Sequence, residues 1–348
     1  MTSLAHFEAL AGRIAIPSHA VIDGKTLPAQ SGKTFANVSP RNGAIINKVA
    51  ELDAGDVDAA VAAARRAFDD GTWRRMHYRQ KKKILFKFAD LMERDAEQLA
   101  LLESLDVGKP IKDALAVDIP GSIKTLRYYA EALDKVYGEV GPETTDRISF
   151  AVHEPLGVIG VIVPWNFPLL MAMWKVGPAL AMGNSIVLKP AEQSPLTALK
   201  MGELALEAGL PPGVLNIVPG FGATAGKALA LHMDVDMIAF TGSGPVGKLL
   251  MQYSGQSNLK RVSLELGGKS PQIVFADCPD MNAAAVSAAW GVFFNQGEVC
   301  TAASRLLVQE AIADEFTDKL LKVAKKIVPG DPLNPNTTFG SMVSEEQM

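Results

Sequence analysis

The chain has 348 residues, 48% of them hydrophobic, and a formal net charge of −4 at pH 7. That length allows a large core and more than one domain, and an acidic balance without a long basic run argues against nucleic acid as the main partner. Its two cysteines, Cys278 and Cys300, cannot build a disulfide framework, which points to a reducing, cytoplasmic compartment.

The first residues include His6, Glu8 and Arg13 and no uninterrupted apolar stretch of signal-peptide length, so export is not expected. Ala20-Val21-Ile22 and Thr34–Val38 are expected to form a hairpin across a connection that opens on the turn signal Asp23-Gly24. Residues 56–69 and 80–104 carry apolar side chains at helical spacing, with Lys81, Lys82 and Lys83 on a solvated face. Lys109-Pro110 closes that unit, and helix resumes over 114–136 around Pro120-Gly121. The pattern then turns extended over 148–153, where His153 alternates within the strand and reads as structural. His6, His19, His77 and His232 show no metal-ligand spacing, and no bound metal is expected.

Residues 157–182 are long enough and apolar enough to be tested as a membrane span, since Lys175 is their only charge. Pro164, Pro168 and Pro178, with Asn166 between them, instead predict a buried strand, a loop and a buried helix. Five apolar runs of strand length follow one another at 158–163, 185–188, 214–218, 237–240 and 261–264, separated by helical stretches at 169–181, 195–208, 224–231 and 246–253. Such alternation implies an α/β fold with a parallel, doubly wound sheet and function at the carboxyl ends of its strands. Gly242-Ser243-Gly244-Pro245-Val246-Gly247 fits a G-x-G-x-x-G pattern after a strand, a weak signal here, because no acidic residue in a nucleotide-binding role ends the next strand.

The chemistry concentrates in two segments, Glu265-Leu266-Gly267-Gly268-Lys269 and Asn295-Gln296-Gly297-Glu298-Val299-Cys300. A thiol adds well to an aldehyde as thiolate, and a carboxylate can activate the water that cleaves the resulting thioester. Taken alone, Cys300 reads as a small buried hydrophobe and Glu265 as a surface charge. Together with Pro164-Trp165-Asn166-Phe167-Pro168, Lys189-Pro190-Ala191-Glu192 and Phe240-Thr241-Gly242-Ser243, in that order along the chain, the two segments resemble the signature blocks of the aldehyde dehydrogenase superfamily. The likeness runs from about Ala20 to the last residue and is nearest to bacterial enzymes acting on polyamine- and arginine-derived aldehydes, such as gamma-glutamyl-gamma-aminobutyraldehyde and 4-guanidinobutyraldehyde dehydrogenases.

The resemblance implies Cys300 as nucleophile, Glu265 as base, and the Asn166 amide with the Cys300 N–H as oxyanion donors. It implies a cofactor site made by Val163, Pro164, Trp165, Lys189, Glu192, Gly220, Gly242, Ser243 and Leu266. A Glu192 carboxylate that accepts ribose hydroxyls and repels a 2′-phosphate favours NAD, with NADP possible. Asp106 and Trp174 match positions lining a substrate tunnel, where Asp106 would hold the tail of an aminoaldehyde; Asp106 reads equally as a surface or helix-end charge. The implied layout is an NAD-binding domain at 1–137 and 156–264, a protruding β oligomerisation arm at 138–155, and a partial catalytic domain at 265–348.

The expected partners are a small-molecule aldehyde and, for a full-length parent, a second copy of the chain, with no nucleic acid and no membrane. The resemblance also implies a longer chain carrying a Glu-x-Phe-Gly-Pro element that is absent here. The parent is therefore expected to be active and oligomeric, and this chain alone weak or inactive. Two other readings stand beside oxidation: nucleotide binding without turnover, and a cofactor-independent cysteine hydrolase, for which no histidine is placed by motif to pair with Cys300.

Overall fold

The computed structural model describes residues 3–142 and 144–348; Met1 and Thr2 of the expected first domain and Glu143 of the expected arm lie outside the described residues. The chain opens with α1 (Leu4–Ala11), then β1 (Ala20–Ile22) and β2 (Lys25–Leu27). The expected hairpin is corrected here. Asp23 (φ 51°) and Gly24 (φ 73°) are both left-handed and close a two-residue turn, so Ile22 pairs with Lys25. A turn of that kind matches the strand twist and takes the very next residues as partner. β3 (Thr34–Val38) pairs instead with β4 (Ile45–Ala50) in a separate antiparallel ribbon.

Asp53 and Asp56 form a reciprocal capping box at the start of α2 (Ala54–Asp69). The stretch expected as one helix over 80–104 is two, α3 (Tyr78–Arg94) and α4 (Ala96–Val107), because Asp95 leaves helical geometry between them. Lys81 is not solvated: it lies with Leu85, Phe88 and Met92 on the core face of α3 and is 7% exposed. Its ammonium donates to the Arg74 carbonyl at 3.0 Å, and burial lowers its pKa. After α5 (Ile111–Asp113), a wide turn over Ala114–Asp118 leads into α6 (Ile119–Ala132), with Pro120 in the first turn, where its missing N–H costs nothing. Only β5 (Glu139–Val140) and β6 (Phe150–Ala151) pair in the arm, and His153 lies exposed beyond them rather than in a strand.

The five predicted strands all form: β7 (Val158–Ile162), β8 (Ser185–Lys189), β9 (Leu215–Ile217), β10 (Met237–Gly242) and β11 (Arg261–Leu266). They pair in parallel, and the seven-stranded sheet runs β11-β10-β7-β8-β9-β1-β2, with β1 and β2 added antiparallel at one edge. β7 and β8 are buried at every position, which is why they read as unbroken apolar runs. The crossovers between strands carry α7 (Pro168–Ala181), α8 (Leu196–Ala208), α9 (Lys227–Leu231) and α10 (Gly244–Gln256). Beyond β11, β12 (Pro271–Val274) and β13 (Arg305–Val308) pair in parallel as a second small sheet, with α11 (Met281–Phe293) and α12 (Ala313–Ala324) packed together around Val274, Ala285, Ala288 and Phe316. Among the described residues no helix is long and apolar enough to cross a membrane.

The turn after α4 ties distant parts of the chain together. Gly108 is left-handed (φ 76°), and a β-carbon there would come within 2.6 Å of the Ser341 carbonyl oxygen, so only glycine fits. Ser341 in turn donates its N–H to the Gly108 carbonyl at 2.9 Å. Just before it, Asp106 is 1% exposed: it accepts from the Asn37 amide at 2.7 Å and from the Leu196 N–H, at the start of α8, at 2.9 Å. The expected tunnel role of Asp106 is thereby corrected. Its carboxyl is sealed inside the fold, where burial pushes its pKa up to about 8 against the pull of those two hydrogen bonds. Asp106→Ala would strand both donors, and urea unfolding is expected to show a loss of about 2–4 kcal/mol; a loss below roughly 1 kcal/mol would mean that solvent or neighbours replace the carboxyl.

Candidate active site

The β7–α7 connection carries Val163, Pro164, Trp165 and Asn166 out of the sheet at its carboxyl edge, with Val163 buried and the other three half-buried. Cys300 reaches the same place from the far end of the sequence. After α11 the chain turns through Asn295 (φ 48°) and Gln296 (φ 59°), both buried, before the exposed Cys300. Two successive left-handed non-glycine residues are costly, and Asn295 offsets part of that through its amide, which donates to the Asn166 carbonyl at 3.2 Å and to the Glu298 carbonyl at 3.3 Å. The Asn166 amide answers with a bond of 2.7 Å to the same Glu298 carbonyl. Asn166 and the Cys300 loop, far apart in sequence, are thus joined directly.

Glu265 lies in β11, in register with Thr241 of β10, and its carboxylate is exposed. The Lys175 ammonium of α7 donates to the Thr241 hydroxyl at 2.5 Å. Burial lowers the Lys175 pKa, and the negative charge of Glu265 opposes that. Trp174, Lys175, Ser263 and Glu265 line a cavity of about 480 Å³ that His153, Glu154 and Pro155 of the arm also line. Trp174 is 51% exposed and opens onto this space. Cys300 is not part of that wall, and no hydrogen bond joins it to Glu265 among the described residues.

The other strand ends form a polar edge. Lys189, 3% exposed at the end of β8, pairs with Glu192 at 2.8 Å; burial lowers the lysine pKa and Glu192 raises it. Gly220 follows β9, and Gly242 ends β10. Ser243 is exposed at the amino end of the 13-residue helix α10, with its hydroxyl unused as a cap. A side chain at Gly222 or Gly244 would meet nothing within 4 Å. An open backbone, a free hydroxyl at a helix amino terminus and a carboxylate–ammonium pair suit the phosphates and ribose hydroxyls of a dinucleotide. Leu266, 39% exposed, borders this edge by packing over Gly247.

Residues 27–348 match the model of the aldehyde dehydrogenase family. The chain is 52% identical over 340 residues to the NADP/NAD-dependent aldehyde dehydrogenase PuuC of Escherichia coli K12, covering 98% of this chain and 69% of that protein. The chain belongs to the aldehyde dehydrogenase family. Two solved structures carry the likeness into three dimensions. One is an indole-3-acetaldehyde dehydrogenase in complex with NAD+, 53% identical with a TM-score of 0.98. The other is the gamma-glutamyl-gamma-aminobutyraldehyde dehydrogenase of Burkholderia cenocepacia, 53% identical with a TM-score of 0.97. Each match covers 99% of this chain and 70% of the other.

Within this aldehyde dehydrogenase fold, sequence reasoning missed two charged groups. Lys175 was signalled by being the one charge in an apolar stretch, a pattern that marks a buried cation with a partner as readily as a span. Glu298 had no such signal, since a carboxylate beside Gly297 in a loop ordinarily faces water. It is 5% exposed, and its Oε1 accepts the Val343 N–H at 3.0 Å. Burial raises its pKa to about 7 from an ordinary 4.5, opposed by the Val343 bond and by the charge of Lys109. A carboxyl that keeps its proton longer in the folded chain than in the unfolded one gives stability that is complete below about 4.5 and lost as pH rises through about 7. Thermal melts of wild type and Glu298→Gln are expected to diverge across that interval, the wild type losing up to about 3 kcal/mol relative to the variant; parallel pH profiles would contradict the buried-acid assignment.

Proposed function

We propose that the chain oxidises an aldehyde to the carboxylate through a covalent bond to Cys300, with NAD as the preferred cofactor and NADP accepted less well. The observation that carries the reading is the bond from the Asn166 amide to the Glu298 carbonyl, two residues before Cys300, which holds a polar donor beside the loop of the only exposed thiol among the described residues.

The Cys300 thiolate adds to the carbonyl carbon, and the oxygen gains negative charge as the C–S bond forms. The second Asn166 amide hydrogen and the Cys300 N–H donate to that oxygen. Bound against Lys189, Glu192 and Ser243, with Val163, Pro164, Trp165, Gly220, Gly242 and Leu266 beside it, the nicotinamide dinucleotide would supply the hydride acceptor. The thioester then left on Cys300 is opened by water: Glu265 takes a proton as the water oxygen bonds to carbon, the C–S bond breaks, and the thiolate returns. Lys175, bonded to Thr241, stands near enough for the negative charge of Glu265 to oppose the lowering of its pKa by burial, so the cation helps to form the polar wall of the cavity that Glu265 lines.

The separate β12–β13 sheet and its own small core support a catalytic unit after about residue 265, with Glu265 and Leu266 still inside β11. Ile148, Phe150 and Val152, each at least 64% exposed, support the 138–155 arm as a contact between copies of the chain. An amine-derived aldehyde is the first substrate to test, given the name of the Burkholderia relative. With Asp106 sealed, the tail of such a substrate would lie along Trp174 in the cavity beside Glu265.

NADH absorbance on mixing the purified chain with NAD and an aminoaldehyde tests the proposal. Cys300→Ser is expected to abolish the signal, Asn166→Ala to lower kcat by about 10²–10³-fold, and Glu265→Gln to give a single stoichiometric burst without turnover. A signal that survives Cys300→Ser would remove the nucleophile, and NAD binding without any NADH would leave a nucleotide-binding protein.

A further inference from the structure

One residue of the loop bearing Cys300, which the reaction itself does not use, is bonded on two sides at once. Glu298 donates its N–H to the Asn295 carbonyl at 2.9 Å. Its own carbonyl accepts the Asn166 and Asn295 amides at 2.7 and 3.3 Å. Its carboxyl, on the other side, accepts the Val343 N–H at 3.0 Å. Val343 belongs to a segment pinned in turn to the α4–α5 turn, where Ser341 bonds to Gly108, and to the end of α11, where the Phe339 ring meets Phe293 edge-on at 6.4 Å.

Beneath this lies a buried cation. Lys109 is wholly buried, pairs with Asp118 and sits 4.1 Å from the centre of the Phe167 ring, next to Asn166 in sequence. Its charge reaches the Glu298 carboxyl. Burying a carboxyl two residues from an exposed nucleophile costs free energy that a glutamine or an alanine would not incur. A role in geometry explains why the group stands there. The side chain and the carbonyl of one residue hold, respectively, the 339–343 segment and the Asn166 amide, so freeing the first lets the second move.

We propose that Glu298 is a positioning residue, whose carboxyl clamps the 339–343 segment to the Cys300 loop and so holds Cys300 in register with the Asn166 amide. The proposal rests on the reading of Cys300 as nucleophile and Asn166 as oxyanion donor, and its first test needs neither. Hydrogen–deuterium exchange on the purified chain is expected to rise about tenfold over 295–302 and 339–343 in Glu298→Ala, with β7 and β8 unchanged. Glu298→Gln, which keeps a carbonyl oxygen for the Val343 N–H, is expected to exchange like wild type. Unchanged exchange in the alanine variant, or a glutamine variant as fast as alanine, overturns the clamp.

The link to chemistry is read by a double-mutant cycle. Glu298→Ala is expected to lower kcat about tenfold with little change in aldehyde KM, and to cost nothing further in an Asn166→Ala background. Losses that simply multiply would mean general damage and overturn the positioning role. If the wild-type chain gives no NADH, the iodoacetamide rate constant of Cys300 in a Cys278→Ser background replaces kcat. A change of about threefold in Glu298→Ala and none in Glu298→Gln is then expected, and equal rates in all three overturn the proposal. Should Cys300→Ser leave NADH formation intact, the nucleophile reading falls while the exchange result stands by itself.

Discussion

Parallel pairing of β7 through β11 is the constraint on which the site depends. Strands that run the same way must be joined by crossovers, so all five release their next residues at one edge of the sheet. Asn166, Lys189, Gly220, Ser243 and Glu265 come from strand ends or the turns just beyond them, which gathers residues scattered over a hundred positions of sequence without any of them having to travel. The strands themselves carry little chemistry, since β7 and β8 are buried on both faces and serve to fix where the turns begin.

Cys300 is the exception, and the structure treats it differently. It arrives on a loop built from left-handed residues, tethered through amides and carbonyls rather than by a strand. Polar tethers of this kind hold only while each donor finds its acceptor, because an orphaned buried group costs about as much as the bond supplied. Gln296, buried with both amide atoms lacking a partner among the described residues, lies one turn before Cys300. The loop therefore combines strain with a small set of directed bonds, which suits the nucleophile proposed for Cys300.

The buried ionisable groups follow the same division. Lys109 and Asp118 neutralise one another inside the N-terminal part of the chain, and Glu103 beside them has its pKa raised by burial, so that side of the site is stiff rather than responsive. Lys189 and Glu192 instead pair a buried cation with a carboxylate that still touches solvent, and the half-buried Lys175 feels the charge of the exposed Glu265. Those are pairs able to exchange a water contact for a ligand at small cost.

Sequence by itself determined the sheet and named most of the residues of the candidate site. Strands buried on both faces must be apolar throughout, so β7 to β9 stood out from the helices between them, β10 and β11 followed as apolar runs of strand length, and the Asn166, Lys189, Glu265 and Cys300 blocks were legible as words of fixed composition. Side-chain environment was not legible where it depends on what arrives from elsewhere. Asp106 is sealed because Asn37 and Leu196 close over it, Lys81 is buried because its helix turns that face inward, and β1 takes β2 rather than β3 because a left-handed pair at Asp23-Gly24 leaves no slack. Glu298 shows the limit most clearly: local sequence reads it as a solvated charge, and only the return of residues 339–343 across the Cys300 loop encloses its carboxyl and hands it the Val343 N–H. Periodicity records which way a residue faces along its own element, whereas enclosure is a property of the elements that come to lie on top of it.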